Sequence, residues 1–243
     1  MSHVSIIIPT LNEADYLERT LRGLCHLHPA AWEILVVDGG SRDRTVEIAK
    51  AANVVVIQVD RSGRSIQQNY GAAHATGEIL CFLHADTLVP DDLVAVIRRT
   101  LDDSAIACGG FISLMSSDRQ THWGISLHNY LKTYYAPLFF RPHLFIRGLR
   151  LLFGDQVMFC RRHQFLACGG FDPAMPIMEE ADLCLKLMRY GQIRQINRVV
   201  QSSDRRVRRW GAWKATMIYL FIGCLWGIGA SPTYLKKFYD DVR

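Results

Sequence analysis

The strongest constraint on this chain is a rhythm near its start. Four short runs of β-forming residues, at 4–8 (VSIII), 34–37 (ILVV), 54–59 (VVVIQV) and 79–83 (ILCFL), are separated by stretches of helical pattern. None of the runs alternates polar with apolar residues, so each reads as a strand buried on both faces, as in a parallel sheet covered by helices. Leu17, Leu21 and Leu24 fall at helical spacing after Thr10-x-x-Glu13, a capping-box pattern. Val46, Ile48 and Ala49, then the segment GRSIQQNYGAAHAT, supply further helices. The β-α-β-α-β-α-β series predicts an α/β fold with a mostly parallel, Rossmann-like sheet flanked by helices. Its crossovers should be right-handed and its ligand site should lie beyond the carboxyl ends of the strands.

After residue 100 the rhythm changes. Residues 105–114 read as another strand, and 123–153 are aromatic and basic with no single period. A short apolar run at 157–160, the loop CGGFDPAMPIMEE and a helix with Leu183, Leu187 and Met188 on one side follow. Residues 193–200 suit a last strand, and the basic run DRRVRR at 204–209 leads into an apolar C-terminal helix. With no repeat or linker and 49% hydrophobic residues over 243 positions, the second half is expected to complete the first as one globular unit.

Charge is polarised along the chain. Residues 1–120 carry 10 basic and 15 acidic side chains, net −5, and residues 121–243 carry 18 and 8, net +10. The basic residues of the second half are interleaved with Phe, Tyr and Leu, as on interfacial surfaces, and no nucleic-acid motif accompanies them, so nucleic acid is not an expected partner. The uncharged stretch 215–233 is interrupted by Gly223, Gly227, Gly229, Ser231 and Pro232 and falls short of the ~20 apolar residues of a spanning helix. It is expected to be a buried or interfacial helix. Peripheral contact with the inner face of the cell membrane, a homodimer and simple core packing all remain open for it. Seven cysteines, an odd number without C-x-x-C and mostly inside apolar runs, read as reduced thiols of a cytoplasmic protein. The start, MSHVSIIIPT, lacks the basic and long apolar regions of a signal peptide.

The carboxylates are informative through their placement. Asp38 ends the second apolar run, Asp86 follows the fourth, and Glu179, Glu180 and Asp182 cluster in MEEADL. Aspartates at strand ends meet at the ligand edge of a parallel sheet, although each alone also suits a loop or helix cap.

At these residues the chain resembles a known family. SIIIPTLNEADYL, EILVVDGGSRDRT, GRSIQQNYGAAHATGEILCFLHADT, GDQVMFCRR, GGFDP and MEEADLCLKLMRYG are similar, in order and spacing, to the motifs of inverting family 2 glycosyltransferases of the GT-A fold. GRSIQQNYG, LHADT, GDQ and the tail resemble a bacterial subgroup labelled arsenosugar-biosynthesis-like. The resemblance implies a GT-A catalytic domain over 1–203, with a donor-nucleotide half at 1–100 and an acceptor half at 101–203, and a basic, apolar helical extension over 204–243. It places Pro9, Thr10, Asn12 and Glu13 around the nucleotide and Asp38 on the base, typically uracil. Arg64 and Gln67, early in a glycine-started helix, could approach diphosphate or sugar.

In His84-Ala85-Asp86, the resemblance makes Asp86 the last residue of a D-x-D-like motif that holds Mg2+ or Mn2+ against the phosphates, with Ala85 beside the donor and His84 where the family usually has its first Asp. In the family, a carboxylate just before a helix takes the proton of the acceptor hydroxyl. Glu180 aligns with that base and Asp182 is the fallback. Asp155, Gln156 and Glu179 are acceptor-site candidates. Arg206 and Trp210 match the Arg and Trp of the Q-x-x-R-W motif of processive synthases, but the Gln is missing, which implies transfer of a single sugar. Arg205, Arg206, Arg208 and Arg209 could close over the diphosphate or meet anionic lipid. The expected function is metal-dependent, inverting, non-processive transfer from a UDP-sugar, or a GDP-sugar, to a hydroxyl acceptor. The alternative is a membrane-surface or nucleotide-sugar-binding protein without transferase activity. A nucleotidyltransferase is disfavoured, because PTLNEADYL stands where a glycine-rich basic phosphate loop would follow the first strand.

Overall fold

A computed structural model describes residues 2–116 and 120–239, except for the side chain of Arg206. In chain order the first half contains β1 (Val4–Thr10), α1 (Ala14–Leu24), β2 (Glu33–Asp38), α2 (Thr45–Ala51), β3 (Val55–Gln58), α3 (Arg64–His74), β4 (Ile79–Phe82), β5 (Thr87–Leu88) and α4 (Leu93–Asp102). The second half contains β6 (Ile106–Ser116), α5 (Trp123–Phe140), α6 (Pro142–Ile146), β7 (Met158–Arg161), α7 (Arg162–Ala167), α8 (Glu179–Leu187) and β8 (Gln192–Ser203). It ends in α9 (Arg205–Trp210), α10 (Ala212–Gly227) and α11 (Pro232–Leu235), with short 3-10 turns at Gly154–Gln156 and Lys236–Phe238.

Among the described residues, eight strands join one sheet in the order β3-β2-β1-β4-β7-β6-β8-β5. The β3-β2-β1-β4 half is parallel, as the apolar runs require. Beyond it the sheet is mixed: β7 inserts antiparallel between β4 and β6, β8 runs parallel to β6, and the two-residue β5 pairs antiparallel with β8. Side-chain alternation divides the core. Ile6, Ile8, Val36 and Cys81 pack on one face, and Ile7, Leu35, Val37 and Phe82 on the other.

Two prolines show how local chemistry shapes the site. Pro9 lies within a central strand, yet its missing N–H costs no ladder bond. Residue 9 faces the same side as Ile7, whose carbonyl takes the Leu83 N–H, and β4 has already ended at Phe82. Pro137 lies inside α5 and cannot donate to the Thr133 carbonyl one turn earlier. That carbonyl accepts the Leu151 N–H instead, at 3.2 Å, tying the segment before the Gly154–Gln156 turn to the helix.

The capping-box expectation is overturned. α1 begins at Ala14, whose N–H is accepted by Asp43 Oδ2 at 3.1 Å and not by Thr10, and Thr10 is the last residue of β1, where its hydroxyl donates to Asp38 Oδ1 at 3.2 Å. A long-range strand-end contact has claimed the hydroxyl that the local pattern offered to the helix.

Candidate active site

The loops at the carboxyl edge of the parallel half are locked by side chains. Asp38 is fully buried. Its Oδ2 accepts the N–H groups of Gly40 (3.0 Å) and Ser41 (2.9 Å), and its Oδ1 accepts the hydroxyls of Ser41 and Thr10. Asn12, at positive φ, accepts the Arg42 N–H on its side-chain oxygen and donates its own N–H to Ser41 Oγ. Gln67 donates from Nε2 to the carbonyls of Thr10 (2.7 Å) and Val37 (2.8 Å), joining the ends of β1 and β2 from α3.

Together these residues hold a cleft of about 700 Å³ that runs along the edge and under α5 and α10. Pro9, Thr10, Glu13, Arg64, Gln67 and Ala85 line it, as do Asp86, Asp155, Glu179 and Glu180. Asn12 and Asp38 do not. They fix the loops beneath it, because a short Asp in a Gly-Gly-Ser turn is satisfied by the turn itself.

Three other expected residues also lie off the cleft. Asp182, the fallback candidate, pairs with Lys186 one helical turn on, at 2.8 Å, and does not line the cleft. Gln156 is fully buried, donating to Thr133 Oγ1 and accepting the Phe153 N–H, so it shapes the turn without facing an acceptor. Trp210 packs on the cluster of Met115, Ile125, Val207 and Ala215. The Arg206 side chain lies outside the described residues.

At the end of the cleft along the parallel edge, two carboxylates converge on one cation. Arg205, the first residue of α9, contacts Asp86 Oδ2 at 2.8 Å and Glu13 Oε2 at 3.0 Å, with its guanidinium over the Tyr16 ring. Burial disfavours its charge, but Asp86 and Glu13 outweigh that and hold its pKa above the ordinary value. The spot is therefore built for positive charge. Among the described residues no group of three or more His, Cys, Asp or Glu forms a metal cage. A Mg2+- or Mn2+-nucleotide needs only one or two carboxylates besides its phosphates, however, and Asp86, with Glu13 beside it, supplies that hard-oxygen set.

Glu180 sits at the start of α8, across the cleft in the chain's second half, and is 5% exposed. Burial, reinforced by the neighbouring Glu179 and opposed by Arg64, pushes its pKa up to about 8. Arg64 reaches Glu179 at 3.2 Å and Glu180 at 3.6 Å, so its charge serves the acidic pair. A Cβ at Gly154 would overlap both Glu180 Oε1 and His84 Nε2. The glycine of GDQ thus leaves room for the Glu180 carboxyl, and His84 stands against it. Asn129 from α5 donates to Asp155 Oδ2 at 3.1 Å. Nothing local in its aromatic stretch marks Asn129; only the fold brings it beside Asp155.

A Rossmann-like sheet carrying one cleft, with a cation-binding carboxylate at one end and a buried high-pKa carboxyl at the other, defines the class of nucleotide-dependent group-transfer proteins. The chain belongs to glycosyl transferase family 2, whose sequence model matches residues 5–168. It is 35% identical over 91 residues to the glycosyltransferase AglE of Haloferax volcanii, covering 34% of this chain and 30% of that protein. It is 28% identical over 131 residues to an undecaprenyl-phosphate 4-deoxy-4-formamido-L-arabinose transferase of Sodalis glossinidius, covering 49% and 39%. The matches thus span well under half the length of these curated relatives.

The fold is that of GT-A enzymes. Glucosyl-3-phosphoglycerate synthase from Mycobacterium tuberculosis, solved with Mn2+, UDP and glucosyl-3-phosphoglycerate, superimposes with a TM-score of 0.66 at 20% identity, over 94% of this chain and 81% of that one. The mannosyltransferase PcManGT from Pyrobaculum calidifontis, solved with GDP-Man and Mn2+, gives 0.69 at 20% identity over 98% and 68%. Among the described residues, no helix is long and apolar enough to cross a membrane.

Proposed function

We propose that this chain is an inverting, metal-dependent, non-processive glycosyltransferase that moves one sugar from a nucleotide-diphosphate donor, UDP-sugar before GDP-sugar, to a hydroxyl acceptor. The observation that carries the reading is the presence of Asp86 and Glu180 in one cleft. Residues 1–203 form the catalytic domain in this reading, 204–243 the extension, and the motif details favour the arsenosugar-biosynthesis-like subgroup. Asp86 would hold Mg2+ or Mn2+ together with the donor diphosphate, and the bound ion supplies charge neutralisation for the leaving group. Pro9, Thr10 and Glu13 border the nucleotide, and Asp38 and Asn12 act through the loops they hold. Glu180, in its ionised form, accepts the proton of the acceptor hydroxyl as the oxygen bonds to the anomeric carbon. The sugar–diphosphate bond breaks, and its electron pair leaves with the nucleoside diphosphate.

The test measures UDP release from a panel of UDP- and GDP-sugars together with calorimetric UDP–Mn2+ binding. Asp86→Ala should lose both binding and turnover, and Glu180→Gln turnover alone. Full turnover by Glu180→Gln would remove the base assignment. Donor binding without turnover on any acceptor would favour a nucleotide-sugar-binding protein.

A peripheral membrane contact of α5 and the extension is supported by Phe139 in the former and Trp213 and Ile228 in the latter, each at least 73% exposed. Flotation with anionic liposomes should carry the protein upward, and no flotation with any lipid would end this reading.

A further inference from the structure

Arg205 ties the basic extension to the opposite end of the chain. It is the first residue of α9, and its guanidinium reaches partners 119 and 192 residues earlier in sequence. Nη2 donates to Asp86 Oδ2 at 2.8 Å, Nη1 lies 3.0 Å from Glu13 Oε2, and the guanidinium rests 4.5 Å from the centre of the Tyr16 ring. The side chains of Arg205, Asp86 and Glu13 are only 19%, 14% and 15% exposed. Water and salt therefore screen these charges far less than they screen a surface pair.

The backbone beside Arg205 is held separately. Asp204 is 1% exposed and pairs with His122 Nε2 at 3.0 Å and with Arg208 Nε at 2.9 Å. α9 thus stays anchored whether or not the guanidinium keeps its place. Arg205 lines the cleft together with Ser202 and Ser203, so its long side chain can swing without moving the helix.

This arrangement makes two cations compete for one carboxylate pair. Asp86 is the hard-oxygen group that the cleft offers a divalent ion, and Arg205 already uses it together with Glu13. A dication and a guanidinium sharing these partly buried carboxylates would repel each other with little screening.

We propose that Arg205 is the resident occupant of the divalent-cation site: its guanidinium neutralises Asp86 and Glu13 until a metal–nucleotide arrives, and it must release them for the ion to bind. That the ion is the donor's Mg2+ or Mn2+ rests on the transferase reading above; the exchange of one cation for another at Asp86 does not. An ion alone must displace the arginine and binds weakly. A diphosphate arriving with the ion brings negative charge that offsets its repulsion with the displaced guanidinium, so metal and nucleotide load as a pair.

The test is Mn2+ binding to the whole protein, followed by electron paramagnetic resonance with and without UDP. Without UDP, Arg205→Met, which keeps an unbranched side chain over Tyr16 and removes the charge, should bind Mn2+ at least ~10-fold more tightly than the parent. Arg205→Lys keeps the charge and should stay within ~3-fold of the parent. UDP should raise Mn2+ affinity by a larger factor in the parent than in Arg205→Met. A second readout needs no variant: phenylglyoxal, mapped by peptide mass, should label Arg205 several-fold faster in saturating Mn2+ than in EDTA, while exposed Arg22 keeps its rate.

Unchanged or weaker Mn2+ binding by Arg205→Met, equal tightening by Arg205→Lys, or Arg205 labelling indifferent to Mn2+ would overturn the proposal. UDP–Mn2+ binding by the parent in any of those cases would leave the transferase reading standing. Tighter Mn2+ binding by Arg205→Met in a protein that binds no UDP would keep the exchange and remove that reading.

Discussion

The two halves of the cleft solve different problems. In the donor half the loops after β1 and β2 are saturated with hydrogen bonds from Asp38, Asn12 and Gln67, and the acidic pair Asp86 and Glu13 already holds a cation in Arg205. In the half we assign to the acceptor, Glu179, Glu180 and Asp155 crowd into a buried, partly apolar space where Arg64 is a partial counter-charge. A satisfied scaffold keeps its geometry when a charged nucleotide arrives, and an incompletely satisfied carboxyl keeps the basicity that a proton acceptor needs. Platform and reactive group are separated in space, so changes at one end should leave the other measurable.

The largest effect expected from breaking that separation comes from the base. Glu180→Gln should lower kcat by ~10²–10⁴, the range of general-base contributions, with UDP–Mn2+ affinity unchanged. A parallel fall in donor affinity would show that the two ends are not independent. Gly154→Ala follows. Its new methyl would overlap the Glu180 carboxylate and His84, and displacing a reacting group by about 1 Å costs up to ~10²-fold. Single-turnover rates alongside donor titration would separate that displacement from a general loss of fold.

A smaller and graded effect is the pH profile. With the Glu180 pKa at about 8, most of the free enzyme holds the base protonated at neutrality. Transfer at subsaturating substrate should therefore rise ~10-fold per pH unit below about 8 and level off above it, because only the ionised carboxylate accepts the proton. Donor binding, which depends on the other end of the cleft, should stay flat over pH 7 to 8.5. A transfer rate that is also flat over that range would mean Glu180 is already ionised through Arg64.

Much of the donor half was legible in the sequence because its signals are local. Unalternating apolar runs mark strands buried on both faces, and the position of Asp86 just after the fourth run puts it at the cleft along the sheet's carboxyl edge. Where the capping pattern went astray, a distant contact overrode it. Thr10 bonds across to Asp38 and does not cap α1, and Asp38 divides its oxygens between Thr10 and its own loop. Asp182 is captured by Lys186 four residues on, a pairing that helical spacing allowed in advance. The acceptor half was opaque for a different reason. β7 enters the sheet antiparallel, α5 carries no clear period because cleft and neighbouring helices share its faces, and Asn129 meets Asp155 across a turn that Leu151 and Gln156 tie to Thr133 of α5.

The smallest expected effect tests the same contrast through stability. The Glu180 pKa is raised from an ordinary 4.5 to about 8, so between those pH values the folded protein binds a proton that the unfolded chain has released. Stability must therefore fall as pH rises through that window, and the burial of the carboxylate contributes its full destabilisation only above about 8. Glu180→Gln removes the titration but keeps the shape. It should match the parent in thermal unfolding near pH 4.5 and melt higher at pH 8.5, by ~2–4 °C for each kcal/mol relieved. A variant that instead melts lower at pH 8.5 would show that the native carboxylate is ionised and stabilised by Arg64. The acceptor half would then be as fully satisfied as the donor half, and the basicity of Glu180 would need a source other than burial.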